Sequence, residues 1–192
     1  MIQDNSQRPQ ELDPRRGEEL LGQLTPEVLD VLQHLGHVVW MVQMLEGTVA
    51  TYLVLVHRLE PGGARARAES AFEKASKQTL GGLLRAIRGP DTPPNLVERL
   101  ESFVEDRNWV THNIFREYWG TARDPDVAIS LMLRLDAIAD EALQIAKVFG
   151  DEIEAYVLAN GVTRQRFDQI TREITADVRA GRSETGRFGF AE

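Results

Sequence analysis

The chain has 192 residues, 42% of them hydrophobic and 27% charged, with a formal net charge of −8 and a sequence pI near 5.1. That length suits one domain with a real hydrophobic core, and the acidity argues against a surface that grips long nucleic acid through many phosphates, though not against a small basic cleft. Cysteine is absent, which excludes disulfides, thiolate metal sites and thiol nucleophiles and is compatible with a reducing cytoplasm, the expected location.

The opening stretch MIQDNSQRPQELDPRRGEEL is polar and charged, without the apolar run of a secretory signal. Residues 1–24 are therefore expected to form a flexible arm. Thr25-Pro26-Glu27 is a helix start: a capping hydroxyl, proline at the first helical position and an acid in the first turn. From there an apolar period runs to about Leu59, where Glu60-Pro61-Gly62-Gly63 ends it. Val38 to Val56 is apolar enough to be weighed as a membrane span. Glu46 sits at its middle, and an acid at mid-bilayer costs roughly 2.5–3.5 kcal/mol, so no membrane association is expected.

A second helix is predicted over Ala64 to Arg88, with Ala68, Phe72, Ala75, Leu80, Leu83, Leu84 and Ile87 inward. Gly81-Gly82 is placed to bend it or to admit a close neighbour. After Gly89-Pro90-Asp91-Thr92-Pro93-Pro94, a third helix is expected from Asn95 to Trp119. A fourth follows Asp124-Pro125, with Leu131, Leu135, Ile138, Ala142, Ile145, Phe149 and Ile153 inward to about Ala159. Asn160-Gly161 closes it, and Thr163 caps a fifth that turns Phe167, Ile170, Ile174 and Val178 inward. The tail 182–192 is polar except for Phe188 and Phe190. The expected fold is all-α, an antiparallel bundle of about five helices spanning 25–181.

The third helix carries polar residues in an unexpected place. On a wheel of 100° per residue, Leu96, Leu100, Phe103, Val104, Ile114, Phe115 and Tyr118 share one face. Arg107 falls within roughly 20° of Leu100, near the middle of that face. Asn108 and His112, four residues apart, lie on its shoulder, while Glu98, Ser102, Trp109, Asn113 and Arg116 point away. A guanidinium aimed inward requires a partner. Glu46 is the candidate, because it interrupts the stripe Val39, Val42, Val49 and Leu53 on the first helix. The pair is read either as a structural ion pair fixing helix register or as part of a site. His34 and His37, three apart on the first helix, could bind a metal with Asp30, but further ligands are lacking, and the stripe Glu27, Asp30, His34 and His37 reads more simply as that helix's solvated face, so no metal or cofactor is expected.

The six residues Arg107-Asn108-Trp109-Val110-Thr111-His112, within the string LESFVEDRNWVTHNIF and in a long helix, resemble the motif of the HEPN superfamily: arginine, four to six residues, then histidine, often with asparagine after the arginine. The resemblance covers about residues 27–160. It implies a helical, dimeric, metal-independent endoribonuclease or RNA-binding protein of a bacterial defence, toxin or stress system, acting on single-stranded RNA. In that reading His112 is the general acid/base for attack of a 2′-hydroxyl on the neighbouring phosphate, and Arg107 binds that phosphate. Asn108 orients the site and Glu46 supports Arg107. Each chain offers one such histidine, so a homodimer would supply the acid and the base. Where toxins of the nucleotidyltransferase-paired branch carry a tyrosine two residues after the histidine, this chain has Ile114. The alternative is a non-catalytic helical module that dimerises or binds a protein partner, with Glu46 and Arg107 as a structural ion pair.

Overall fold

The computed structural model describes residues 24–58, 65–89, 92–118 and 123–179, and for a few helical residues only the backbone. The expected arm up to residue 23, the loop after Leu59, and the tail with Phe188 and Phe190 lie outside the described residues.

Helix α1, Pro26–Tyr52, begins where Thr25 holds an extended backbone and Pro26 occupies a position that needs no N–H donor. Thr25 makes no side-chain capping bond, against expectation. The helix widens into a π-helical stretch, Leu53–Arg58. There His57 Nε2 meets the buried Thr92 hydroxyl at 3.3 Å, and Thr92 donates to the Ile87 carbonyl at 2.6 Å. The segment Pro26–His57 is long and apolar enough to cross a membrane by length and composition, and half of its apolar 18-residue stretch is buried inside the fold.

The predicted second helix is two. Helix α2, Arg65–Ser76, stops, and α3, Leu80–Ile87, starts anew, because Thr79 turns extended and its hydroxyl accepts from the Gly82 N–H at 3.3 Å. The break precedes the glycine pair, which falls in the first turn of α3. Leu80, Leu83, Leu84 and Ile87 are buried as expected, as is Ala75 on α2. Helix α4, Pro94–His112, ends at Asn113, and a short α5, Ile114–Tyr118, restarts the chain with a different phase. Helix α6, Pro125–Ala159, has Asp124 accepting from the Asp126 N–H at 3.0 Å at its N-cap. Helix α7, Arg164–Arg179, follows the Asn160-Gly161 turn, where Gly161 takes φ 93, a left-handed conformation that only glycine adopts cheaply. Among the described residues there are seven α-helices and no strand.

Helices α1 and α6 make the most extensive pairing. Their core is Val38, Leu45 and Val49 from α1 against Leu135, Ala142, Ile145 and Phe149 from α6, all fully buried. The pairing is parallel: His34 meets Asp136 near one end, and Tyr52 packs edge-on against Phe149, 5.0 Å between ring centroids, near the other. Helix α4 runs antiparallel to α6, since Arg99 binds Glu141 while Trp109 stacks under Arg134. The expected antiparallel order thus holds for α4 against α6 but not for the principal pair. A chain that goes up, down and up leaves its first and third long helices parallel.

Two residues of the third predicted helix change sides. Trp109 is 7% exposed, its Nε1 donating to Glu117 at 2.8 Å, with the Arg134 guanidinium 3.5 Å from its ring centroid. The helical wheel puts it on the outer face because one apolar stripe assumes one neighbour, whereas α4 packs on α6 as well. Phe115, expected inward, is 59% exposed, because the interruption at Asn113 ends the wheel on which it was placed.

Phe149→Ala is expected to cost about 3–5 kcal/mol in urea denaturation, as a fully buried aromatic leaves a cavity. Leu133→Ala, on the outer face of α6, should stay within about 0.5 kcal/mol of the parent.

Candidate functional site

Helix α1 presents Glu46 and α4 presents Arg107 on facing sides, and the two side chains meet: Arg107 Nη2 lies 3.4 Å from Glu46 Oε1. They are 22% and 23% exposed respectively, so the pair is largely but not wholly withdrawn from water. The expectation that each supplies the other's counter-charge is met in the geometry. A third partner was not foreseen. Glu46 Oε1 also accepts from the Leu80 backbone N–H at 3.3 Å, at the first turn of α3. That N–H has no acceptor within its own helix, and the positive end of a helix favours a carboxylate. One carboxylate therefore ties α1, α3 and α4 together.

Around the pair is a groove of about 420 Å³ with an apolar floor that includes Val39, Val42, Val110 and Ile114. Gln43 and Thr111 add polar groups to its wall. Thr111 turns its hydroxyl back to the Arg107 carbonyl at 2.8 Å, an i−4 bond internal to the helix. Asn108 is exposed, and its Oδ1 accepts from Arg107 Nη1 at 3.4 Å. The guanidinium is thereby held on two sides, by Glu46 and by Asn108.

His112 stands apart from this cluster. It is the last residue of α4, it is exposed, and among the described residues it makes no hydrogen bond or ion pair. It does not line the groove. Of the four residues singled out, the fold joins Glu46, Arg107 and Asn108 and sets His112 apart, exposed at the helix end.

The cluster on the first helix differs from expectation. His34 is half-buried, its Nδ1 donating to the Asp30 carbonyl at 2.8 Å and its Nε2 lying 3.5 Å from Asp136 of α6. Asp30 thus acts through its backbone, and His34 belongs to the seam between α1 and α6. Among the described residues no three His, Asp or Glu side chains gather as a metal site would require.

What sequence reading missed is the Leu80 N–H and the groove. The N–H has no side-chain signature. The groove does have one: Val28, Leu32, Leu35, Val39, Val42 and Glu46 follow one another in steps of four and three, the spacing of a seam that receives another helix.

Compared with known proteins, the chain matches no family model, no curated protein and no solved structure.

Replacing Glu46 separates its two bonds. Glu46→Gln keeps an oxygen for the Leu80 N–H and removes only the charge; Glu46→Ala removes both and should be the more destabilising, by about 1 kcal/mol. A cycle of Glu46→Gln with Arg107→Met, read by urea denaturation, should give a coupling of about 1 kcal/mol. Additive effects would mean the two charges do not communicate.

Proposed function

We propose that the Arg107-Asn108-x-x-x-His112 face is an RNA-phosphate site and that the chain is a HEPN-like, metal-independent endoribonuclease of a bacterial defence, toxin or stress system, acting as a cytoplasmic homodimer. The observation that carries this reading is the division of states between the two charged partners. Arg107 is held in place by Glu46 and Asn108, while His112 is exposed and makes no hydrogen bond or ion pair among the described residues. Cleavage of RNA by its own 2′-hydroxyl needs those two conditions. A general acid/base must be reachable by the proton it moves, and a phosphate-binding guanidinium works best when its fork is oriented in advance.

In this mechanism His112 takes the proton of the 2′-hydroxyl as that oxygen attacks the adjacent phosphorus. The P–O5′ bond breaks, and the histidine of a symmetry-related chain protonates the departing 5′-oxygen. The products are a 2′,3′-cyclic phosphate and a free 5′-hydroxyl. Arg107 faces the equatorial phosphate oxygens, where negative charge accumulates. Glu46 is a positioning residue in this scheme. Two histidines are needed, and two chains supply them.

A second reading is favoured by a different observation. Arg107 is already matched by a carboxylate, and the groove around the pair is mainly apolar. In that reading the pair fixes helix register, and the groove seats a helix of a protein partner or of a second copy, with no chemistry at all.

Incubation of the full-length protein with single-stranded RNA in EDTA distinguishes the two. The enzymatic reading expects cleavage ending in cyclic phosphate, reduced roughly 10²–10⁴-fold in His112→Ala. Arg107→Ala should lose cleavage as well. Absence of cleavage by well-folded protein, or cleavage that His112→Ala leaves intact, supports the non-catalytic module.

A further inference from the structure

The groove beside Arg107 holds more chemistry than a phosphate contact alone uses. An arginine side chain carries five N–H donors in a planar fork. Two of those on Arg107 face Glu46 Oε1 and Asn108 Oδ1, and among the described residues the other three meet no acceptor. The side chain is only 22% exposed. A wholly apolar occupant, such as the stripe of a partner helix, would strip the remaining water from these donors and give nothing in return. An anionic oxygen gives them what they need.

The rest of the groove is made of different material. Val39 and Val42 of α1, Val110 of α4 and Ile114 of α5 form an apolar floor. Phe115 lies eight residues beyond Arg107, on the order of 12 Å along the chain's helical course at 1.5 Å per residue. The interruption at Asn113 turns it out of the core, and its side chain lines the groove while 59% exposed. Gln43, one turn from both Val39 and Glu46, is exposed on the wall, and its amide makes no hydrogen bond among the described residues. An amide both donates and accepts, which suits the mixed edge of a heteroaromatic ring. The volume of about 420 Å³ falls within the range of roughly 300–1,000 Å³ for small-ligand sites, which likewise join an apolar lining to a few placed polar groups.

We propose that this groove seats one nucleotide of single-stranded RNA, with its phosphate on Arg107, its base on the apolar floor against Phe115, and the base edge on the Gln43 amide. Every base has a flat face, so stacking on an aromatic side chain tolerates any sequence; the amide supplies what preference there is. Phe115 and Gln43 hold the base and take no part in bond breaking. This base site rests on the reading of Arg107 as a phosphate ligand and is independent of cleavage.

The test is a methyl NMR titration of the full-length protein with two ligands that differ by the base alone, adenosine 5′-monophosphate and ribose 5-phosphate. The nucleotide should shift the signals of Val39, Val42, Val110 and Ile114 and leave Leu133, exposed on α6, unmoved. It should bind about 5–150-fold more tightly than ribose 5-phosphate, the worth of one base stacked on an aromatic ring. Phe115→Ala, an exposed position that the core does not need, should bring the nucleotide down to the affinity of ribose 5-phosphate and leave the latter as it was. Gln43→Ala should weaken the nucleotide about fivefold, the worth of one hydrogen bond. Groove signals that the nucleotide leaves unmoved, equal affinities for the two ligands, or a preference that survives Phe115→Ala overturns the base site. Set beside the cleavage assay in EDTA, the titration separates the two claims. Nucleotide bound with RNA left uncut removes the ribonuclease and keeps the base site; RNA cut with both ligands bound equally removes the base site alone.

Discussion

A glutamate and an arginine sharing an otherwise apolar interface is the constraint on which this fold turns. At 3.4 Å and an effective dielectric near 20, their gross attraction is about 5 kcal/mol. Desolvation of both groups consumes most of it. What survives is directional. Glu46 also receives the first N–H of α3, so a misplaced α3 or a rotated α4 leaves a largely buried carboxylate or guanidinium without its partner. The apolar contacts between α1 and α6 supply the larger part of the stability, and they tolerate sliding better than a charge pair does. The pair therefore serves register and orientation more than net stability.

Much of this was legible in the sequence. Arg107 among Leu100, Phe103 and Ile114, and Glu46 among Val39, Val42 and Val49, each broke an apolar stripe, and two opposite charges that break facing stripes are drawn to meet. The inward residues of α6 followed from the same period, because α6 is one uninterrupted helix with a single dominant buried side. The misreadings have physical causes. Trp109 was turned outward because α4 has two packed sides, and the second is covered by Arg134 rather than by aliphatic side chains. Phe115 was turned inward because periodicity was carried across Asn113, where the helix ends. The division of α2 from α3 depends on Thr79 capping a new helix, a local competition that apolar spacing does not register. The parallel pairing of α1 with α6 is a matter of topology, which the two hydrophobic patterns do not encode.

The functional readings differ in what they ask of Arg107. As a phosphate ligand it must keep its fork available while Glu46 holds it from behind; as a structural ion it needs nothing beyond Glu46 and Asn108. His112 differs too, since its exposure at the end of α4 serves catalysis in one reading and is incidental in the other.

All of these accounts assume that Arg107 is held by Glu46 in solution and is not a mobile surface cation. Nitrogen-15 NMR of the arginine guanidinium groups tests this directly, because a held guanidinium rotates slowly about its Cζ–Nε bond and gives separate Nη signals. The account predicts slow rotation for Arg107 in the parent chain and averaged signals in Glu46→Gln. Averaged Arg107 signals in the parent chain, matching those of the exposed surface arginines, would contradict it.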